Sequence, residues 1–329
     1  MDTPPLQDPS TRRAVNLLTA PELGAVGVTG RNPRACGDNG GMRLRFTKMQ
    51  GAGNDFVVLN GIEQQLDLTA QRARALADRR FGIGADQILV VEQASDPAAD
   101  YRYRIFNADG GEAEQSGNGA RCFMMYMHLA GITRRASIRA ETAGRLIELR
   151  LLDDGTVAAD MGAPNLDPTA SGFSTDGLQA RTEGRAALWP LPVNGKDAWV
   201  TVVSMGNPHA VQRVDDVERA QVDVDGPSIE RHPRFAHRVN AGFMQVMDCH
   251  AIRLRVWERG VGETLACGSG ACAAVVAGIE RGLLATPVQV HTRGGLLSVQ
   301  WKGADLRQPV PVFLAGPAVK VFEGEIDIE

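Results

Sequence analysis

Twice in this chain a glycine-rich turn opens straight into an apolar segment of helical length, and that repetition constrains the fold more than any other feature. The first instance runs from Gln115-Ser116-Gly117-Asn118-Gly119-Ala120-Arg121-Cys122 into Phe123-Met124-Met125-Tyr126-Met127-His128-Leu129-Ala130 and stops at Gly131. The second leaves the polar loop Glu258-Arg259-Gly260, passes Cys267-Gly268-Ser269-Gly270, and continues as an apolar run from Ala271 to Arg281 before Gly282. The shift that lays Ser116 on Cys267 also lays Phe106-Asn107 on Trp257-Glu258, and nearly the same shift lays Gly53-Asn54 on Gly206-Asn207. Landmarks kept in one order at nearly one spacing predict a duplicated half-chain.

Cys267 therefore stands at the mouth of a predicted helix. A thiol there meets the positive end of the helix dipole and unpaired N–H groups, which is expected to favour thiolate. The Gly-Ser-Gly that follows leaves backbone amides bare, so that an anion such as a carboxylate can approach.

With 329 residues, 43% hydrophobic and 22% charged, the chain has the composition of an ordinary globular protein with room for two domains. Its net charge of −4 argues against a nucleic-acid or anionic-membrane partner. No apolar run approaches a membrane span. Five scattered cysteines form no secreted disulfide framework, which points to the cytoplasm, and no CxxC or His-rich cluster predicts a metal.

Residues 1 to 41, rich in proline and ending Gly37-Asp38-Asn39-Gly40-Gly41, are expected to be a disordered extension, with Met42 a candidate true start. Leu44, Phe46 and Lys48-Met49 alternate as a strand does, Gly51-Ala52-Gly53-Asn54 turns, and Phe56 to Leu59 reads as a second strand. Thr69 is a predicted N-cap for a helix over 70–80. Strand patterns follow at 88–91, 101–106, 138, 146–151, 157–159, 199–203, 288–291, 297–300 and 319–322. The stretch from Gly162 to Gly184, rich in Pro, Gly, Ser and Thr, is the predicted linker. Each half thus reads as several strands with one principal helix, opening at Ser116 or Cys267.

Gly268-Ser269-Gly270-Ala271-Cys272-Ala273 fits a dinucleotide fingerprint but lacks its context, since a polar loop precedes it and no Asp or Glu follows near Val288. One such turn alone would merely start a helix; two in register point to a site between the halves. Cys122 and Cys272 fall on apolar helical segments and read as small buried hydrophobes, while Cys36 and Cys249 have no chemical context. His209 lies in a turn where structural and catalytic roles weigh evenly, and Glu258 and Arg259 are either a solvated pair or substrate contacts on a Gly-flanked loop.

Met49-Gln50-Gly51-Ala52-Gly53-Asn54-Asp55-Phe56, Asn107-Ala108-Asp109-Gly110-Gly111 through Arg121-Cys122, Gly206-Asn207-Pro208-His209, and Glu258 through Ala274 together resemble the diaminopimelate epimerase family, in the family's order from about Met42 to the C-terminus. The resemblance implies an α/β fold of two pseudo-symmetric domains, each a curved, mostly antiparallel or mixed sheet wrapped around a central helix, with the site in the cleft. It implies halves at 42–160, completed by about 314–329, and at 161–313. The implied activity is cofactor-free isomerisation of LL- to meso-diaminopimelate, for lysine and cell-wall precursor synthesis, by a homodimer. Two groups on opposite faces of the α-carbon would remove and return its proton, while two helix N-termini stabilise the developing charge.

Carried over by position, Cys267 resembles one catalytic cysteine, with Glu258 and His209 beside it in the catalytic set. Gly117, Asn118, Gly268 and Ser269 resemble the amide clamp on the reacting carboxylate. Asn54, Gln87, Asn107, Asn207, Asn240, Glu258 and Arg259 resemble the groups that hold the amino and distal ends of the substrate. The departure is Ser116, which stands where the family has its other catalytic cysteine. A hydroxyl is a far weaker acid than a thiol, so Ser116 is expected to be a poor base and a poor acid. Three readings follow: an epimerase with one impaired group, a one-base lyase or dehydratase using Cys267, or a catalytically dead ligand-binding protein.

Overall fold

Residues 42–60 form the first hairpin in the computed structural model, which describes residues 42–113, 116–304 and 308–328. The expected extension at 1–41, with Cys36, lies outside the described residues, as does Gln115. Strands β1 (Met42–Gly51) and β2 (Asn54–Asn60) pair antiparallel across a turn in which Ala52 and Gly53 both take positive φ. Helix α1 (Ala70–Ala77) follows, then β3 (Gln87–Gln93), β4 (Tyr101–Asn107), β5 (Glu112–Ala113), helix α2 (Gly117–Leu129), β6 (Ser137–Glu141), β7 (Leu146–Leu151) and β8 (Val157–Asp160). A 3-10 turn (Pro168–Ser171), β9 (Arg181–Glu183) and β10 (Ala186–Val193) come next.

The sequence of elements then begins again. Strands β11 (Lys196–Ser204) and β12 (Pro208–Arg213) are followed by helix α3 (Val222–Glu230), β13 (Asn240–Asp248), β14 (Ala251–Glu258) and β15 (Gly262–Thr264). Helix α4 (Gly268–Glu280), β16 (Val288–Thr292), β17 (Gly295–Gln300) and β18 (Phe313–Gly316) complete the series, and β19 (Val319–Ile328) ends it.

The pairings repeat as faithfully as the elements. In the first series β1–β2, β3–β4, β4–β5, β6–β7 and β7–β8 are antiparallel, while β2–β3 and β4–β6 are parallel. In the second, β11–β12, β13–β14, β14–β15, β16–β17 and β17–β18 are antiparallel, while β12–β13 and β14–β16 are parallel. Each opening strand gains one further antiparallel neighbour, β10 on β11 but β19 on β1. The two closing strands, β8 and β18, pair with each other and join the series. The architecture is thus mixed α/β and dominated by one continuous sheet, whose two series of strands wrap around α2 and α4.

Those two helices are apolar on nearly every face, as helices surrounded by sheet must be. Phe123, Met124 and Met127 of α2 share one continuous core with Ala273, Val275 and Val276 of α4. Burial on this scale, at roughly 25 cal/mol per Å² of apolar surface, is what holds the sheets to the helices.

Two expected elements differ. The helix read over 70–80 ends at Ala77, because Asp78 turns extended and its carboxylate accepts the N–H groups of Arg80 and Phe81. The Gly162 to Gly184 stretch is a packed strap: Asn165 bridges Ser204, and Phe173 is buried against Phe235 and Trp189.

Candidate active site

Strand β14 ends at Glu258, and the short hairpin with β15 returns the chain to the mouth of α4. Cys267 is the N-cap of that helix in extended backbone, φ −111°, ψ 110°, and its side chain makes no capping bond. Its Sγ donates instead to Glu258 Oε2 at 3.0 Å and lies 3.6 Å from Ser269 Oγ. The other oxygen of Glu258 accepts from Thr264 Oγ1 at 2.5 Å. Gly270 makes this approach possible, since a Cβ there would fall 3.2 Å from Cys267 Sγ and 3.0 Å from Val256.

The thiol is only 5% exposed. Burial first, and then the negative charge and hydrogen bond of Glu258, push it well above the usual thiol range, while Ser269 and the Gly270 N–H pull weakly the other way. The expectation that the helix mouth favours thiolate is therefore corrected: Cys267 rests as a thiol. A dry environment with a carboxylate in contact outweighs the helix dipole, which contributes only about 0.3–1 kcal/mol in ordinary settings.

At the mouth of α2, Ser116 has the same extended N-cap backbone, φ −146°, ψ 119°, but its Oγ accepts the Gly119 N–H at 3.1 Å. The two mouths face each other. A Cβ built on Gly268 would lie 3.7 Å from both Gly117 Cα and Asn118 Oδ1. Asn118 crosses this gap, its Nδ2 reaching Asn54 Oδ1 at 3.3 Å and the Ala266 carbonyl at 3.4 Å. Asn54 is held in turn by donating to Asp86 Oδ2 at 2.9 Å.

Further candidates form short chains around this centre. His209 Nε2 lies 3.1 Å from Asn207 Oδ1, and Asn207 Nδ2 donates to Ser269 Oγ at 3.3 Å, which joins His209 to the Cys267 group. His209 is 1% exposed; burial and then the Arg259 charge bring it down to about 3, so it is neutral at physiological pH. Gln87 Nε2 donates to Asn107 Oδ1 at 2.8 Å. Asn240 donates to the Pro208 carbonyl at 3.1 Å and accepts the Arg259 N–H at 2.9 Å. The Arg259 guanidinium is on the His237 carbonyl at 3.0 Å. Cys122 and Cys272 are buried inside the helices and burial pushes both to about 12, as befits inert core thiols.

The structure thus links Cys267, Glu258, Ser269, Asn207 and His209 in one network and Asn54 with Asn118 in another. Gln87–Asn107 and Asn240–Arg259 are separate pairs. Three supporting residues escaped the sequence: Thr264 on Glu258, Asp86 on Asn54, and Arg121, whose Nη2 donates to Asn118 Oδ1 at 2.9 Å. Arg121 had a signal, an arginine inside an otherwise apolar helical run. Among the described residues no group of three or more His, Cys, Asp or Glu could hold a metal ion.

The fold is one found among racemases and epimerases. It is similar to the solved structures of a hydroxyproline epimerase from Agrobacterium vitis with bound trans-4-hydroxy-L-proline (TM-score 0.60, 14% identity, 87% of this chain and 93% of that one) and of a Bacillus anthracis phenazine biosynthesis protein of the PhzF family (TM-score 0.60, 14% identity, 87% and 99%). The diaminopimelate epimerase family profile matches residues 46–166 and 201–321. Over 287 residues the chain is 60% identical to a diaminopimelate epimerase of Cupriavidus taiwanensis, covering 87% of this chain and 98% of that protein. Over 288 residues it is 58% identical to one of Burkholderia mallei, covering 87% and 99%. The chain belongs to the diaminopimelate epimerase family.

Proposed function

We propose that this chain is an isomerase that converts LL-diaminopimelate to the meso form by proton transfer at the α-carbon, with its rate strongly lowered by Ser116. The observation that carries this reading is the pair of facing helix mouths, one led by a thiol in contact with a carboxylate and the other by a hydroxyl. The α-carboxylate would sit between the mouths, where the amides of Gly117, Asn118, Gly268 and Ser269 stabilise the charge that builds as the α-proton leaves. Resting as a thiol, Cys267 is ready to deliver a proton to the carbon; Glu258, in contact with Sγ, is the group that takes this proton when Cys267 must act as base.

On the opposite face the partner would be Ser116. A hydroxyl held as a helix cap does not form an alkoxide near neutral pH, which impairs inversion in both directions. Asn54, Gln87, Asn107, Asn207, Asn240 and Arg259 would orient the amino and distal groups of a zwitterion with two ends. His209, neutral and tied to Asn207, would support the thiol side without titrating. The halves would be 42–160 with about 314–329, and 161–313. No metal or organic cofactor has a role in this scheme.

A homodimer in the cytoplasm fits the reading. Among the described residues strand β19 pairs only with β1 and leaves Val319, Val321 and Phe322 exposed, an apolar edge suited to a second copy. No helix among the described residues is long and apolar enough to cross a membrane. The intact Cys267–Glu258 pair also supports a second reading, a one-base lyase or dehydratase, and the intact clamp a third, a ligand-binding protein without catalysis.

The test is LL-diaminopimelate in deuterated water with the chain as it stands and with Ser116→Cys, following α-deuterium and meso product separately. Restored epimerisation in Ser116→Cys supports the proposal. Exchange without inversion in the original chain identifies Cys267 as a single base. No reaction in either form refutes the substrate.

A further inference from the structure

Arg121 is the fifth residue of α2 and its side chain is 0% exposed. The guanidinium folds back toward the start of its own helix. Nη1 donates to the Gly117 carbonyl at 3.3 Å, Nη2 to Asn118 Oδ1 at 2.9 Å, and Nε to the Pro317 carbonyl at 3.4 Å. Every one of these acceptors is neutral. Its space is made by glycines: a Cβ on Gly316 would lie 3.2 Å from Nε, and one on Gly51 3.4 Å from Nη2. Under the pairing of the two series, Cys272 of α4 occupies the matching position, so this guanidinium has no counterpart at the α4 mouth. Burial brings Arg121 down to about 10, which still leaves it charged at neutral pH.

A buried cation beside a helix N-terminus, with no anion in contact among the described residues, is costly on two counts: it is desolvated, and it faces the positive end of the dipole. Here the arrangement has a geometric result. By occupying Asn118 Oδ1, Arg121 fixes which end of that carboxamide faces the cleft, so Nδ2 is the end that reaches Asn54 and the Ala266 carbonyl next to Cys267. We propose that Arg121 is a positioning residue for the proton transfer: its fork over Asn118 and Gly117 holds the α2 mouth in register with the α4 mouth, and its positive charge is completed by the α-carboxylate of the bound substrate. This inference rests on the epimerase reading.

The experiment uses the Ser116→Cys protein, so that turnover can be read, and compares Arg121→Met, Arg121→Lys, Asn118→Ala and the double variant Arg121→Met/Asn118→Ala. Calorimetry gives Kd for diaminopimelate, epimerisation gives kcat and KM, and thermal melting shows that each variant is folded. Misplacing the α2 mouth is expected to lower kcat on the order of 10²-fold in Arg121→Met and in Asn118→Ala. The double variant is expected to be no worse than either single one, since both remove the same link. Arg121→Lys keeps the charge but not the fork, and is expected to retain diaminopimelate affinity within about tenfold while losing kcat.

Full kcat in folded Arg121→Met, multiplying losses in the double variant, or complete rescue of kcat by Arg121→Lys would each overturn the positioning role. Should Arg121→Met not fold, Arg121→Lys and Asn118→Ala decide alone: full kcat in either one overturns the proposal. If the parent protein neither binds nor turns over diaminopimelate, the epimerase reading falls and takes this inference with it. Binding and turnover by the parent with unaffected Arg121 variants removes only the inference.

Discussion

The mouths of α2 and α4 are built on one plan and carry different chemistry. Both begin at an extended N-cap on a helix of 13 residues, and both are reached from the end of a strand. At α4 the cap side chain is a thiol bonded to a carboxylate; at α2 it is a hydroxyl bonded to its own helix. Asn107 holds the place in the pairing register that Glu258 holds in the second series, and it bonds to Gln87 rather than to Ser116. Duplication supplies a frame in which two groups can face one carbon. It does not keep the two groups alike, because packing fixes the backbone while one side-chain atom, sulfur or oxygen, decides whether a proton can move.

The largest effect expected from breaking this difference is that of Ser116→Cys, which should raise diaminopimelate epimerisation on the order of 10²–10⁴-fold, the usual worth of a positioned acid or base. A rate equal to that of the original chain would show that the α2 mouth is not a proton-transfer site. Next comes Glu258→Gln, which removes the charge that, after burial, most raises the Cys267 thiol. Alkylation of Cys267 near neutral pH, read by peptide mass spectrometry, should accelerate by about tenfold for each unit the thiol falls. Alkylation that stays slow would assign the raised thiol to burial alone.

His209 sharpens the comparison through pH. Its register counterpart in the first series is Phe56, which cannot titrate. Folded His209 titrates at about 3, below its ordinary 6.5, so the unfolded chain takes up the proton first as pH drops. The stabilisation is complete above the ordinary value and is lost as pH falls from there toward the folded one, at about 1.4 kcal/mol per unit. Urea unfolding of His209→Gln should show a flatter dependence between about pH 7 and 5. Parallel profiles for the two proteins would remove His209 as the cause. The smallest effect is that of Ser116→Ala, which loses a helix cap and should cost about 1 kcal/mol by denaturant unfolding. An unchanged midpoint would mean that the hydroxyl does not cap α2.

Much of this was legible in the chain. Glycine-rich turns leading into apolar runs mark α2 and α4, short apolar runs mark β2 and β3, and alternation marks β1, β4, β7 and β17, because those signals are local. The parts that were not legible depend on distant neighbours. Helix α3 contains Gly226-Pro227, which reads as a breaker; it is present because Trp257 packs so closely that a Cβ on Gly226 would fall 2.7 Å from its side chain. Strand β10 carries Pro190 and Pro192, tolerable where its neighbours are β11 and a short stretch of β9. The protonation of Cys267 was misjudged for the same reason: Glu258 lies nine positions upstream, and only the β14–β15 hairpin brings it into contact.

The return of β19 to β1 sets Ile328 opposite Met42, across nearly the whole described chain. During synthesis, β1 must therefore wait for its second neighbour until residues 319–328 have left the ribosome, whereas β11 meets β10 within a single hairpin. Pairings between such distant residues are slow to form, because a large loop must close before any contact rewards it. The first series is made early and finished late, and through that interval β1 is an open edge for which chaperones or a neighbouring nascent chain would compete.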